Sequence, residues 1–177
     1  MGHTMTTKQK GFSLIELLIV VAIILIIAAI AIPNLLRARM AANESSAAAG
    51  VRTVNTAEIT YNSTYPTVGF AGSMAVLGGP IAAACTPTST TACLIDGVLA
   101  NNGNPAGSGK SGYSFNEAPG ASAGGVVVQY MVDASPLTIN QTGIRAFCSV
   151  EDAVVRWDKS GACSVAHATI LTFPPLN

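Results

Sequence analysis

From Phe12 to Ile32 the chain is apolar at every position except Ser13 and Glu16. As a helix rising 1.5 Å per residue this block spans about 31 Å, the hydrocarbon thickness of a bilayer, which predicts a membrane helix. A cleaved secretory signal has a shorter apolar stretch ending at a small-residue site and does not fit. Beyond Pro33 the apolar positions thin to Leu36, Met40, Ala47, Val51, Val54 and Tyr61, a stripe at helical spacing. One helix is therefore expected from Phe12 to about Tyr61. Pro33, which lacks an amide donor and crowds the carbonyl four residues back, is expected to kink it or melt it locally. The stripe reads as packing against the C-terminal half, with Glu44, Arg52 and Glu58 solvated or inter-subunit.

Helical periodicity ends after Tyr65-Pro66. Residues 67–112 are rich in Gly, Ala, Ser, Thr and Pro and read as loops and turns, with a short helix expected around Ser73–Leu77 or Ala92–Ala100. Runs enriched in Val, Ile, Tyr and Phe then predict strands at Gly112–Asn116, Val126–Val132, Ile144–Val150 and Ala153–Asp158, with a weaker one at Thr169–Phe173. Short connections imply an antiparallel meander with one face on the helix. The fold class is α+β: a long kinked N-terminal helix packed on a small antiparallel sheet with disulfide-stapled loops.

Nine basic residues balance nine acidic ones among 177, without the basic excess that phosphate binding needs, so no nucleic-acid partner is expected. Lys8 and Lys10 before the apolar block match Arg37 and Arg39 beyond it, so flanking charge decides orientation weakly. The cysteines decide better. Cys85, Cys93, Cys148 and Cys163 all follow the block, as expected if that part faces an oxidising compartment. Of three pairings, Cys85–Cys93 and Cys148–Cys163 are favoured because each brackets a short loop. Zinc is disfavoured: no CxxC occurs, and His167 is the only histidine after the leader.

Catalytic signatures are lacking. There is no GxSxG or HExxH, and the GSGKSG run around Lys110 lacks the first P-loop glycine and a preceding strand. Metal ligands and cofactors are not expected. Glu151, Asp152 and Asp158 are the residues that would gather a calcium ion, against the commoner reading of solvated loop carboxylates. The Asn-x-Ser/Thr triplets at Asn43, Asn62 and Asn140 are short enough to arise by chance, and no glycosylation is read from them.

Lys10-Gly11-Phe12-Ser13-Leu14-Ile15-Glu16-Leu17 resembles the class III signal of type IV pilins and type II secretion pseudopilins, and Ile32-Pro33-Asn34-Leu35 resembles that family's mid-helix proline. The resemblance implies cleavage between Gly11 and Phe12 by a membrane prepilin peptidase, followed by N-methylation of Phe12. Removing 11 of the 177 residues would leave 166. It also implies a division into leader 1–11, membrane and assembly half 12–33, amphipathic half 34–65, variable loop 66–112 and sheet head 113–177 with its C-terminal disulfide loop.

Glu16 carries a physical argument of its own. A carboxylate within an apolar helix costs about 2.5–3.5 kcal/mol on insertion scales, so it needs headgroup water or a cationic partner. The resemblance supplies the partner: the freed amine of Phe12 in a neighbouring chain, a pairing that sets the register of incoming subunits. The partners implied are copies of the chain in a helical filament, the inner membrane before assembly, the peptidase and an ATP-driven assembly machinery. The implied location is the inner membrane, then an extracellular pilus. A minor pilin or a periplasmic pseudopilin is the alternative. In the major pseudopilins Tyr-Pro-Thr precedes a Glu-Gly-Leu stretch and disulfides are usually lacking; here Tyr65-Pro66-Thr67 leads into Val68-Gly69-Phe70, and four cysteines are present.

Overall fold

The computed structural model describes residues 11–81, 84–163 and 166–176. The leader residues 1–10, Lys8 and Lys10 among them, lie outside the described residues. The chain forms two compact units that meet between Ala38 and Arg39.

The first helix, α1, covers Leu14–Thr64 and belongs to both units. It passes through Pro33 as unbroken helix, so the melted alternative does not occur. The proline withholds the amide that the Ala29 carbonyl would otherwise accept. In the first unit the apolar side chains of α1 stand exposed around the helix, Leu14, Ile15, Leu18 and Ile30 included. In the second unit its buried positions are Glu44, Ala47, Ala48, Val51, Val54, Asn55, Ala57, Glu58 and Tyr61. The expected stripe thus holds at Ala47, Val51, Val54 and Tyr61, but Leu36 is exposed and Met40 only half-buried.

Two carboxylates correct the sequence reading more sharply. Glu44 and Glu58, expected to be solvated or inter-subunit, are 8% and 0% exposed, while Arg52 does lie exposed.

Between α1 and the sheet come two single-turn helices, α2 (Met74–Leu77) and α3 (Gly97–Ala100). Asp96 caps α3 by accepting the Leu99 N–H at 2.9 Å and pairs with Lys110 at 2.8 Å. Among the described residues six strands follow: β1 (Tyr113–Pro119), β2 (Ser122–Ala123), β3 (Val126–Val127), β4 (Tyr130–Pro136), β5 (Ala146–Val150) and β6 (Arg156–Asp158). The main sheet is antiparallel in the order β1-β4-β5-β6, with Tyr113 opposite Pro136, Val132 opposite Ser149 and Phe147 opposite Trp157.

The strand expected over Val126–Val132 is two separate strands. Gly124 and Gly125, both at positive φ, turn the chain back so that β3 pairs with β2, and Val127 also bonds to the segment Val68–Phe70. Such a two-residue turn requires φ > 0 at both positions, which glycine adopts without strain. The third expected strand starts at Ala146 instead of Ile144, because the Ile144 and Arg145 N–H groups are given to Glu44. The fourth starts at Arg156, after Ala153 turns at positive φ. Thr169–Phe173 is not a strand: His167–Ile170 forms one helical turn, α4, followed by turn bonds such as Phe173 N–H to the Ile170 carbonyl.

Every residue of β5 is buried, because the strand is covered on both faces. Phe147 joins the core that contains Val51, Val54 and Tyr61 of α1, whereas Ala146, Cys148 and Val150 pack with Cys163 and Ile170 of the C-terminal segment. A buried polar network crosses the α1 seam. The Asn55 amide donates to Ser149 Oγ (2.9 Å) and to the Ala153 carbonyl (3.1 Å), and its Oδ1 accepts the Tyr130 hydroxyl at 3.0 Å. Along β6 runs the segment Pro174–Leu176: Trp157 N–H donates to the Pro174 carbonyl and Leu176 N–H to the Val155 carbonyl. On the opposite edge the Phe115 N–H donates to Asn102 Oδ1 at 2.8 Å.

The disulfides are Cys85–Cys93 and Cys148–Cys163. The second ties β5 to the segment preceding α4 across 15 residues, a closure worth about 3 kcal/mol by chain entropy. Replacing both of its cysteines by serine is expected to lower stability by about 2–4 kcal/mol, read as a fall in the denaturation midpoint of the purified chain. The same comparison made under reductant should show a smaller gap, the remainder being the cost of serine hydroxyls in the apolar cluster around Cys148.

Candidate functional site

The residues singled out at the N-terminus lie together at the start of α1. Gly11, Phe12 and Ser13 precede the helix, and Phe12 is 89% exposed. Ser13 occupies the N-cap position and Glu16 the third helical position, where its Oε2 accepts the Ser13 N–H at 2.9 Å. This is the carboxylate half of a capping box, in which Glu or Gln satisfies an amide that the helix start leaves without a partner. The spacing Ser13-x-x-Glu16 carries that signal in the sequence, and the sequence reading passed over it. The bond occupies one carboxylate oxygen.

From Leu14 the helix is long and apolar enough to cross a bilayer, and the segment that qualifies has none of its side chains buried within the chain. Helices apolar on every side are normally covered by lipid or by other helices. A contiguous apolar surface of this extent on a soluble chain marks an interaction site. Pro33 interrupts neither the helix nor its exposed surface.

Within the second unit, Glu44 acts as an anchor that sequence reasoning missed. Its Oε1 accepts the N–H groups of Ile144 (2.9 Å) and Arg145 (3.1 Å), and its Oε2 meets the Arg145 guanidinium through Nε at 2.9 Å and Nη2 at 2.8 Å. Burial pushes the Glu44 pKa up, but these donors together outweigh it and hold the carboxyl below its ordinary value. The Arg145 guanidinium also lies 5.6 Å from the Phe147 ring centroid and 5.7 Å from that of Trp157. A cleft of about 390 Å³ opens beside this pair, lined by Glu44, Ile144, Arg145, Trp157 and Lys159. It holds no nucleophile paired with a base. Nothing in the local pattern around Glu44 marked it, since its partners lie 100 and 101 residues away.

The three carboxylates weighed as calcium ligands are each engaged by the protein. Glu151 bonds to His167 Nε2 at 2.7 and 2.8 Å, Asp152 pairs with Arg156 at 2.6 Å, and Asp158 accepts the Ser160 hydroxyl. Among the described residues no three His, Cys, Asp or Glu side chains gather as a metal site.

The family defined by the prokaryotic N-terminal methylation motif matches residues 6–32. The Type IV wide pilus major component PilA4 of Thermus thermophilus is 66% identical over 38 residues, 22% of this chain and 29% of that protein. The Type IV major pilin protein PilA of Myxococcus xanthus is 47% identical over 51 residues, 29% of this chain and 23% of that protein. The matched segments thus span less than a third of either relative. No solved structure matches.

Proposed function

We propose, for a chain whose N-terminal segment belongs to the type IV pilin family, that it serves as a structural subunit of a type IV pilus. Cleavage after Gly11 frees the amine of Phe12, which is then methylated. The apolar half of α1 holds the precursor in the inner membrane and is later buried among the helices of other copies, so one surface serves as anchor and then as filament core. The exposed apolar helix joined to a folded, disulfide-closed unit carries this reading. Two disulfides suit export of the second unit to an oxidising compartment. Staggered self-association is a heterologous contact that does not close on itself, which is the symmetry of a helical fibre. The chain's role in it is structural, with the energy for assembly supplied by other proteins.

The test is the intact mass and N-terminus of the protein in filaments sheared from cells. The expected result is a 166-residue chain, 177 less the 11 of the leader, starting at N-methyl-Phe12 and dominating that fraction. A processed chain that stays in the membrane, with nothing sheared, would transfer the proposal to a pseudopilin or minor subunit. An uncut N-terminus would overturn it.

A further inference from the structure

Glu58 of α1 and Glu117 of β1 face each other inside the second unit, 0% and 8% exposed. Glu58 Oε2 accepts the Ala71 N–H at 2.9 Å. Glu58 Oε1 and both carboxyl oxygens of Glu117 are buried and accept no hydrogen bond from a donor elsewhere in the described residues. The two side chains are within hydrogen-bonding reach of each other, so a single proton between them satisfies what two carboxylates cannot.

Among the described residues no cation offsets the pair. The titratable groups that face it are Tyr61 of α1 and Tyr130 of β4, whose hydroxyls donate to the Ser89 carbonyl and to Asn55 Oδ1. Farther off, Glu151 and Asp152 also act on Tyr130 and are held by His167 and Arg156. The bases of the other ion pairs among the described residues are committed as well, Lys110 to Asp96 and Arg145 to Glu44. Two adjacent buried carboxylates facing only neutral and acidic groups do not both stay charged; one takes up a proton.

We propose that Glu58 and Glu117 share one proton and form a proton-dependent clasp that fastens α1 to β1. The clasp lies wholly in the second unit and is independent of polymerisation. Burial, with the Glu58 carboxyl adding to it, pushes Glu117 up to about 11, and burial raises Glu58 as well. The folded chain keeps a proton that an unfolded glutamate releases near its ordinary value of about 4.3. The contribution of the clasp to stability is therefore whole below that value. It declines as pH rises, and is lost once pH passes the raised value of the folded state.

The experiment uses the full chain purified in detergent micelles. Infrared spectra at neutral pH should show the carbonyl stretch of an un-ionised carboxylic acid. Isotope-labelled glutamate should shift that band, separating it from Asp133, whose carboxyl is also raised, chiefly by burial. Glu117→Gln keeps a donor towards Glu58, and is expected to abolish the labelled band and flatten the fall of Tm with rising pH. Absence of the labelled band in the wild-type chain would overturn the proposal whatever the variants do. So would a pH profile of Glu117→Gln parallel to wild type, or a Tm that calcium raises in the wild type and not in Glu117→Gln, which would make the pair a cation site.

Discussion

Replacing Glu16 by glutamine is expected to leave cleavage and the start of α1 unchanged and yet to reduce filament yield about tenfold or more, as deeply as alanine does. The two substitutions separate two roles that one carboxylate now combines. Its Oε2 accepts the Ser13 N–H, a bond that a glutamine oxygen reproduces, since capping boxes use Glu and Gln alike. What glutamine lacks is the charge proposed to meet the Phe12 amine of the next subunit. Removing one partner of a buried ion pair costs about 3–5 kcal/mol because the other charge is left stranded. Each 1.4 kcal/mol is about a factor of ten in an association constant. The comparison is the amount of sheared filament from cells producing equal precursor, with processing checked by mass. Full yield from Glu16→Gln beside a loss in Glu16→Ala would leave Glu16 as a helix cap only, and the register role would fall.

Glu44→Ala is expected to destabilise the second unit by about 3 kcal/mol, far more than a surface substitution would. The change removes the acceptor of the part-buried Ile144 and Arg145 N–H groups, at a cost that reaches about 1–3 kcal/mol for each one water does not reach. The released guanidinium recovers part of its hydration, since the Arg145 side chain is 40% exposed, so the full penalty of a stranded buried charge does not apply. Arg145→Ala should therefore cost less than Glu44→Ala, and the double variant less than the sum of the two. The pH dependence has a definite sign. Because the Glu44 pKa is lowered in the folded chain, its contribution is present above the ordinary carboxyl value and is lost as pH falls through the depressed one. Denaturant midpoints of the full chain at neutral and acidic pH measure both effects. Equal midpoints for Glu44→Ala and wild type at neutral pH would remove Glu44 from the architecture described here.

Elements governed by local chemistry could be read from the sequence. The apolar run after Phe12 signals its helix by length alone, and the two disulfides that formed are the ones closing short loops. Strand positions near Tyr113, Ala146 and Arg156 followed from their residue types, with ends displaced by a few positions. What escaped depended on distant partners. Glu44 and Glu58 look like ordinary helix-surface charges until Ile144, Arg145 and Glu117 are brought against them by the sheet. The break between β3 and β4 was hidden for a related reason: Val126–Val132 reads as one β-forming run, while in the fold it is interrupted at Val128 and Gln129, just after Val127 bonds to the distant Val68 and Phe70. Thr169–Phe173 resembles a strand by composition, yet the turn bonds closing back on Ala166, Thr169 and Ile170 keep it from extending.

The covering of the sheet edges limits how copies of the chain can join. An open edge strand offers a row of N–H and C=O groups on which another chain can build, the route to cross-β aggregates. Here the β6 edge is occupied by Pro174–Leu176, where Pro174 and Pro175 have no N–H to offer, and on β1 the Tyr113 and Phe115 donors are taken by the Lys110 carbonyl and Asn102. Strand addition is thereby obstructed at both ends of the sheet. In the filament proposed for this chain, contacts between copies at these edge positions would fall to side-chain surfaces and not to added strands.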